Sequence, residues 1–288
     1  MSTIFEETKY ILKKYGITAN KSLGQNFLIN ENVVQNIVRK AEISKEDLVI
    51  EIGPGLGTLT KELLEKAGKV IAIELDKRMI EILTERFSLY NNFELINEDV
   101  LKVDLNNIIK QNLNPESNLK HAKIVANLPY YITTPIIMKL LEENLNIESI
   151  TVMIQKEVAD RLIEIPGGKN TGAITYAVYY YATSEEVMLV EPNSFIPEPA
   201  VESKVIKLNI RKEKAVKVSD EKLLFKIIKH AFMQRRKTLV NALEKSDIFS
   251  SKKEILEILE KLELNDKIRG EALSLEDYSK IANFVTKM

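Results

Sequence analysis

Residues 47–67 read DLVIEIGPGLGTLTKELLEKA, and three patterns follow one another within them. DLVIEI is a short apolar run with one carboxylate inside, which fits a strand buried on both faces of a parallel sheet. GPGLG supplies Gly53, Gly55 and Gly57, where the backbone can turn tightly and approach a ligand with no Cβ atoms in the way. TLTKELLEKA carries helical spacing. Strand, glycine loop and helix in this order open a ligand site in many α/β sheets. Spacing narrows the choice of ligand. The dinucleotide fingerprint G-x-G-x-x-G, counted from Gly53, would need a glycine where Thr58 stands. The loop also lacks the G-K-[ST] ending of a phosphate-cradling loop.

The same alternation continues outward. KVIAIEL (69–75), NFELIN (92–97), AKIVAN (122–127) and SITVMIQ (149–155) read as strands. DKRMIEILTERF (76–87) and TTPIIMKLLEEN (133–144) read as helices between them. Strands alternating with helices predict an α/β fold with a parallel sheet covered on both faces. Upstream, 3–15 and 30–40 carry helical spacing, with Asn30 as N-cap and Val33, Val34, Ile37 and Val38 on one face. Downstream, TGAITYAVYYYA (171–182) fits a helix or a strand. Helix is favoured because Ile174, Ala177, Val178 and Tyr181 fall near one face. EEVMLVE (185–191) and SKVIKLNI (203–210) read as closing strands. Beyond Lys212 the texture is helical throughout, which places a boundary near 209–213: one domain over 1–210 and a small all-helical domain over 211–288.

Composition excludes several chemistries. The 288 residues are 45% hydrophobic and 29% charged, ordinary for a globular chain. No cysteine is present, so disulfides, zinc ribbons, iron–sulfur clusters and thiol nucleophiles are out. Two histidines, His121 and His230, are too few for a histidine-rich metal site, and no metal is expected. No apolar stretch has the length of a membrane span, and the N-terminus does not read as a signal peptide, so a cytoplasmic location is expected. The net charge of −1 hides an asymmetry. Residues 203–253 hold 15 Lys and Arg against 5 Asp and Glu, and the rest of the chain is acidic. Such a block suits a polyanion, although a lysine run is often only a solvated helix face.

Strand ends supply the remaining signals. Ligands in open α/β sheets lie outside the carboxyl ends of the strands. After the glycine loop, the second strand ends in Glu74, suited to ribose hydroxyls. The third leads to Asn97-Glu98-Asp99-Val100, and the fourth to Asn127. A single carboxylate there is better read as a helix cap, as Asp76 could be. The ordered set points to a nucleoside-type cofactor, with S-adenosylmethionine the expected one. The fourth strand runs into NLPYYITTPI (127–136). One reading is a strand-to-helix turn, with Thr133 or Thr134 as cap and Pro135 in the first turn. The other is an active-site lip that grips a planar amine.

These stretches, taken in order, carry a resemblance. KSLGQNFL (21–28), EIGPGLGTLT (51–60), NEDVL (97–101), ANLPYYITTPI (126–136), MIQKEVADRL (153–162), SFIPEPAVESKV (194–205) and AFMQRRKTLVNAL (231–243) are similar to the KsgA/RsmA family of ribosomal RNA adenine dimethyltransferases over nearly the full chain. The glycine loop alone would say only methyltransferase; the later motifs are the specific ones. The resemblance implies a Rossmann-like methyltransferase domain followed by a helical, RNA-binding one. It implies that methyl groups pass from S-adenosylmethionine to N6 of two adjacent adenosines near the 3′ end of small-subunit ribosomal RNA. The expected partner is that RNA within the precursor small subunit, and the chain is expected to act as a monomer. Carried over by position, the cofactor contacts are Asn26, Leu28, Gly53, Gly55, Glu74, Asp99, Val100 and Asn127. For the transfer, the Asn127 oxygen and Leu128 carbonyl are expected to accept from the amine. Pro129 would set their direction, while Tyr130 and Phe195 would stack on the two faces of the base. Arg235, Arg236 and Lys237 are expected to meet RNA phosphates. Rival readings are a large-subunit rRNA methyltransferase, a ribosome-assembly factor, and an NAD oxidoreductase, which Thr58 disfavours.

Overall fold

The computed structural model describes residues 3–20 and 23–287; Lys21 and Ser22, which open KSLGQNFL, lie outside the described residues. Along the chain the elements are α1 (Ile4–Lys14), β1 (Phe27–Leu28), α2 (Glu31–Lys40), β2 (Asp47–Ile52), α3 (Thr58–Lys66), β3 (Lys69–Glu74) and α4 (Lys77–Arg86). There follow β4 (Phe93–Asn97), α5 (Leu105–Asn112), β5 (His121–Asn127), α6 (Thr133–Glu142), β6 (Ser149–Gln155), α7 (Lys156–Ile163) and α8 (Ala173–Tyr181). The last are β7 (Ala182–Val190), β8 (Phe195–Ile196), β9 (Ser203–Ile210), α9 (Glu221–Met233), α10 (Leu239–Leu243), α11 (Lys252–Lys261) and α12 (Leu275–Thr286).

A seven-stranded sheet runs in the order β4-β3-β2-β5-β6-β9-β7. β2 lies parallel to β3 and β5, β3 to β4, and β5 to β6. β9 returns antiparallel to β6, with Gln155 opposite Ser203. From β2 the chain winds outward to β4 on one side, then crosses to β5 and β6 on the other. The crevice at that switch point is where such sheets hold ligands.

Local chemistry accounts for the central elements. All six residues of β2 are buried, as a strand covered on both faces requires. Leu48, Val49 and Ile50 have no exposed surface, and each side chain so buried contributes roughly 1.5–3 kcal/mol. The edge strand β4 carries partly exposed residues throughout. Asn30 caps α2 by accepting from the Val33 N–H at 3.3 Å, and Val33, Val34, Ile37 and Val38 face inward. Asp76 caps α4 in the same way. α3 starts from Gly57 at φ 82°, and a Cβ there would stand 2.5 Å from Phe87 Cε2. Only glycine fits, on both counts.

Three details differ from the sequence reading. α6 has Ile132 at its cap position with no side-chain bond; Thr133 is instead its first residue and donates its hydroxyl to the Pro129 carbonyl at 3.1 Å. The helix favoured within 171–182 is present as Ala173–Tyr181, but the strand after it begins at Ala182 and, at nine residues, is longer than EEVMLVE. β1, β8, α5, α7 and α10 have no clear signature in the pattern of the chain.

The chain packs as two compact units. The first takes residues 1–159 with 185–210, and the second takes 160–184 with 211–288. Segment 160–184 therefore shares a core with the helices after residue 210. Its Tyr176 is fully buried, donates its hydroxyl to the Leu273 carbonyl at 2.6 Å, and meets the Tyr278 ring edge-on at 5.1 Å. Among the described residues no helix is long and apolar enough to cross a membrane.

Candidate active site

Within the first unit a cavity opens at the carboxyl ends of β2, β3 and β5. Its walls are the loop Gly53–Leu56, the end of β3 at Glu74, residues 98–100, the turn 127–132 and the segment Leu23–Leu28. Gly53, Gly55 and Gly57 all have positive φ, so the loop bends back over the end of its strand. Glu74 fixes that bend. One carboxylate oxygen accepts from the Gly55 N–H at 3.1 Å, the other from the Asp76 N–H at 2.8 Å. Burial pushes its pKa up from the ordinary carboxylate range.

Glu51 stands beside it as a second buried carboxylate. It belongs to β2, is 2% exposed, and lines the same cavity. Its Oε2 has no hydrogen-bond partner among the described residues. Burial, reinforced by the neighbouring Glu74 charge, pushes its pKa up to about 8. Sequence reading passed over Glu51 as a strand residue. The available signal was a carboxylate inside an apolar run, two positions before the glycine loop.

Asp99 and Val100 line the cavity beyond β4. Asp99 accepts from the Leu101 N–H through one oxygen at 3.0 Å, leaving its second oxygen without a hydrogen bond among the described residues. Asn26 and Leu28 line the cavity as well. The Asn26 side chain donates to the Gly24 carbonyl at 3.2 Å, and Leu28 is nearly buried beside it.

The turn after β5 exposes two acceptors. Asn127 donates its side-chain N–H to the Asn26 carbonyl at 3.4 Å, which assigns the other atom of the carboxamide as a free oxygen. The Leu128 N–H is bonded to the Met153 carbonyl at 3.1 Å, but nothing among the described residues donates to the Leu128 carbonyl. The next carbonyl along, that of Pro129, is already taken by the Ile132 N–H and the Thr133 hydroxyl. Tyr130 lines the cavity, and its hydroxyl shares a 2.5 Å hydrogen bond with that of Ser203. Burial raises the Tyr130 pKa, so the phenol stays neutral. Ser203 is a second residue the sequence reading left without a role. Its signal was its place in SFIPEPAVESKV.

Phe195 is a correction. Its ring is 1% exposed and packs in the hydrophobic core with Leu28 and Leu56. It pairs with Leu28 in the short β1–β8 ladder and does not line the cavity. Its register opposite Leu28 turns the ring into the apolar core, where it presents no face to the cavity.

In the second unit Arg235, Arg236 and Lys237 follow the end of α9 and are exposed. They are not equivalent. Arg235 donates to the Thr171 carbonyl at 3.0 Å and pairs with Glu271 at 3.2 Å. Neither Arg236 nor Lys237 has a side-chain partner among the described residues. In the same terms, no cluster of three or more His, Asp or Glu is placed to hold a metal ion.

Residues 16–287 match the family model described as ribosomal RNA adenine dimethylase. The chain belongs to the ribosomal RNA adenine dimethylase family. It is 48% identical to the ribosomal RNA small subunit methyltransferase A of Alkaliphilus oremlandii, over 98% of this chain and 97% of that one. Identity to the protein of the same name from Lachnoclostridium phytofermentans is 50%, over 97% and 96%. Among solved structures, a dimethyladenosine transferase from Plasmodium falciparum superposes with a TM-score of 0.75 at 28% identity, over 91% of this chain and 98% of that one. The 23S rRNA methyltransferase ErmE shares the fold, with a TM-score of 0.66 at 24% identity, over 91% of this chain and all of that one.

Dimethylases of this family use S-adenosylmethionine as methyl donor, and the cavity suits it on its own terms. The cofactor is cationic at sulfur and has ribose hydroxyls to hold. The cavity offers the Glu74 carboxyl, a second buried carboxyl in Glu51 whose Oε2 has no hydrogen-bond partner among the described residues, and a glycine loop whose backbone can lie close to a ligand.

Proposed function

We propose that this chain methylates N6 of two adjacent adenosines in the 3′-terminal hairpin loop of 16S ribosomal RNA, twice each, as a late step of small-subunit biogenesis. It does so on the precursor subunit, as a monomer in the cytoplasm. Support for the small subunit comes from the curated relatives, which match end to end and carry that name.

Glu74 would hold the ribose, Asp99 and Val100 the adenine, and Gly53, Gly55, Asn26, Leu28 and Asn127 the remaining length of the cofactor. Bound there, S-adenosylmethionine supplies an electrophilic methyl carbon. The chain's task is to make the adenine amine nucleophilic. That amine is poor because its lone pair is delocalised into the ring. In the first transfer, acceptors on its two hydrogens draw the lone pair back onto nitrogen without any strong base; in the second, one hydrogen has been replaced and one acceptor serves, and each transfer releases one N6 proton. The Asn127 oxygen and the Leu128 carbonyl are the pair, and this single observation carries the reading: they are adjacent, unpartnered and at the cavity wall. Pro129 fixes φ at the turn, and its own carbonyl is consumed in starting α6. Tyr130, anchored by Ser203, gives one face on which the flipped-out base can stack. Removing a base from its stack costs least in a loop. Alignment of amine and methyl then provides much of the acceleration. In the second unit, Arg236 and Lys237 are the readier phosphate contacts, because the Arg235 charge is already partly met by Glu271.

A competition assay tests the substrate. With labelled S-adenosylmethionine, undermethylated small subunits should accept about four methyl groups each, while protein-free large-subunit rRNA accepts none. Labelling of the large-subunit RNA instead would assign the chain to that substrate.

A further inference from the structure

The segment Leu23–Leu28 forms one wall of the cavity, yet only Phe27 and Leu28 belong to a strand. Side-chain bonds at Gln25 hold it. The Gln25 amide donates to Asp76 Oδ2 at 2.8 Å, and its oxygen accepts from the Asn20 N–H at 2.9 Å. Asp76 is 8% exposed and is also held by Arg78, whose Nε lies 3.0 Å from Oδ1 and whose Nη2 lies 2.5 Å from Oδ2, the oxygen Gln25 binds; the same Nη2 lies 3.5 Å from the Gln25 oxygen. Arg78 also reaches the Thr18 carbonyl at 3.3 Å. The Asp76 N–H in turn donates to Glu74, the cavity carboxylate.

On either side of Gln25 the segment meets the acceptor turn. Gly24, at φ +60°, packs so closely that a Cβ would lie 3.3 Å from Tyr131 Cδ1 and 3.7 Å from the Tyr130 nitrogen. Asn26 offers the carbonyl that receives the Asn127 amide. Gln25 thus stands between a backbone contact to the turn and the carbonyl that orients Asn127, and its side chain ties the segment to the N-cap of α4.

We propose that Gln25 is a positioning residue for methyl transfer. Its clasp on Asp76 sets the Asn26 carbonyl, which holds the Asn127 carboxamide with its oxygen turned to the amine. Through the Asp76 N–H the same clasp links the Glu74 carboxylate to the acceptor turn. A reacting group must be held to a fraction of an ångström, and residues behind it do the holding. The inference rests on the reading above that the Asn127 oxygen accepts from the adenine amine.

The test compares Gln25→Leu, Gln25→Glu and the double variant Gln25→Glu with Asp76→Asn. Leucine removes the clasp. Glutamate sets one carboxylate against another, with the Arg78 guanidinium shared between them. The double variant restores the hydrogen bond with donor and acceptor exchanged and passes the carboxylate that Arg78 pairs with from position 76 to position 25, whose side-chain oxygen already lies 3.5 Å from Arg78 Nη2, while the asparagine oxygen still caps α4. Each is measured for kcat at saturating substrates, for S-adenosylhomocysteine affinity by calorimetry, and for hydrogen exchange of amides 23–28 without ligand. The single variants should lose at least tenfold in kcat, keep affinity within about fivefold, and exchange faster over 23–28. The double variant should recover most of the kcat and slow the exchange again. Single variants within twofold of the parent in kcat would overturn the proposal. So would a loss confined to S-adenosylhomocysteine affinity, or a double variant no better than Gln25→Glu. Full activity in Asn127→Ala would instead remove the reading on which the inference rests, and that outcome is read from a different variant.

Discussion

At the scale of single residues, we propose that Glu74 serves binding and the Asn127 carboxamide serves reaction, while Glu51 lies buried between the strands beside them. Glu51 makes the sharper prediction. Its pKa is about 8 in the folded chain against about 4.5 when exposed. Above pH 4.5 the unfolded chain gives up this proton while the folded one keeps it. Stability therefore falls as pH rises from about 4.5 to about 8, by on the order of 1 kcal/mol per unit from this group. Glu51→Gln abolishes the term. In thermal melts without ligand, the variant should be more stable than the parent at pH 8, with the difference vanishing near pH 5. An equal offset at both values would refute this account of Glu51. Of the residues that line the cavity, Glu74, Asp99 and Asn127 were legible because each ends or follows a strand. Phe195 was not. A motif gives its position in the chain, whereas the direction of its ring is decided by the β1–β8 pairing with Leu28.

Among elements, the glycine loop and its helix are the joint on which the cavity depends. Gly57 begins α3 in a left-handed conformation against Phe87 and Leu83. Gly57→Ala should lower stability by about 2 kcal/mol or more, combining strained backbone with a clash in the core, as read from urea denaturation. A shift below a few tenths would contradict the packing described. The parallel strands and their helices could be read from alternation, since buried central strands and amphipathic helices leave strong periodic signals. Weaker elements could not. α5 buries only Leu105 and Ile109, β1 and β8 are two residues each, and α10 has five. The α6 cap was misread because Thr133 serves the preceding turn, closing on the Pro129 carbonyl, rather than the helix after it. That hydroxyl leaves the Leu128 carbonyl as the open one.

For the whole molecule, the basic block is the feature that net charge conceals. Within it the structure separates Arg235, already paired, from Arg236 and Lys237. Replacing Arg236 and Lys237 together with alanine should weaken RNA binding and reduce the slope of log affinity against log salt by about 1–2. An unchanged slope would place the phosphate contacts elsewhere. Arg235→Ala should alter the slope less and the melting temperature more, because Thr171 and Glu271 lose their partner. A boundary read from helical texture alone could not show that segment 160–184 shares a core with the later helices, since Tyr176 meets Leu273 and Tyr278 only in three dimensions. The central claim joins substrate and acceptor, and mass spectrometry of nucleosides from treated small subunits tests both at once. With S-adenosylmethionine, the parent chain should yield N6,N6-dimethyladenosine at two adjacent positions near the 3′ end. Asn127→Ala should yield none, while still binding S-adenosylhomocysteine, though more weakly. Dimethyladenosine formed at the normal rate by Asn127→Ala would contradict the account.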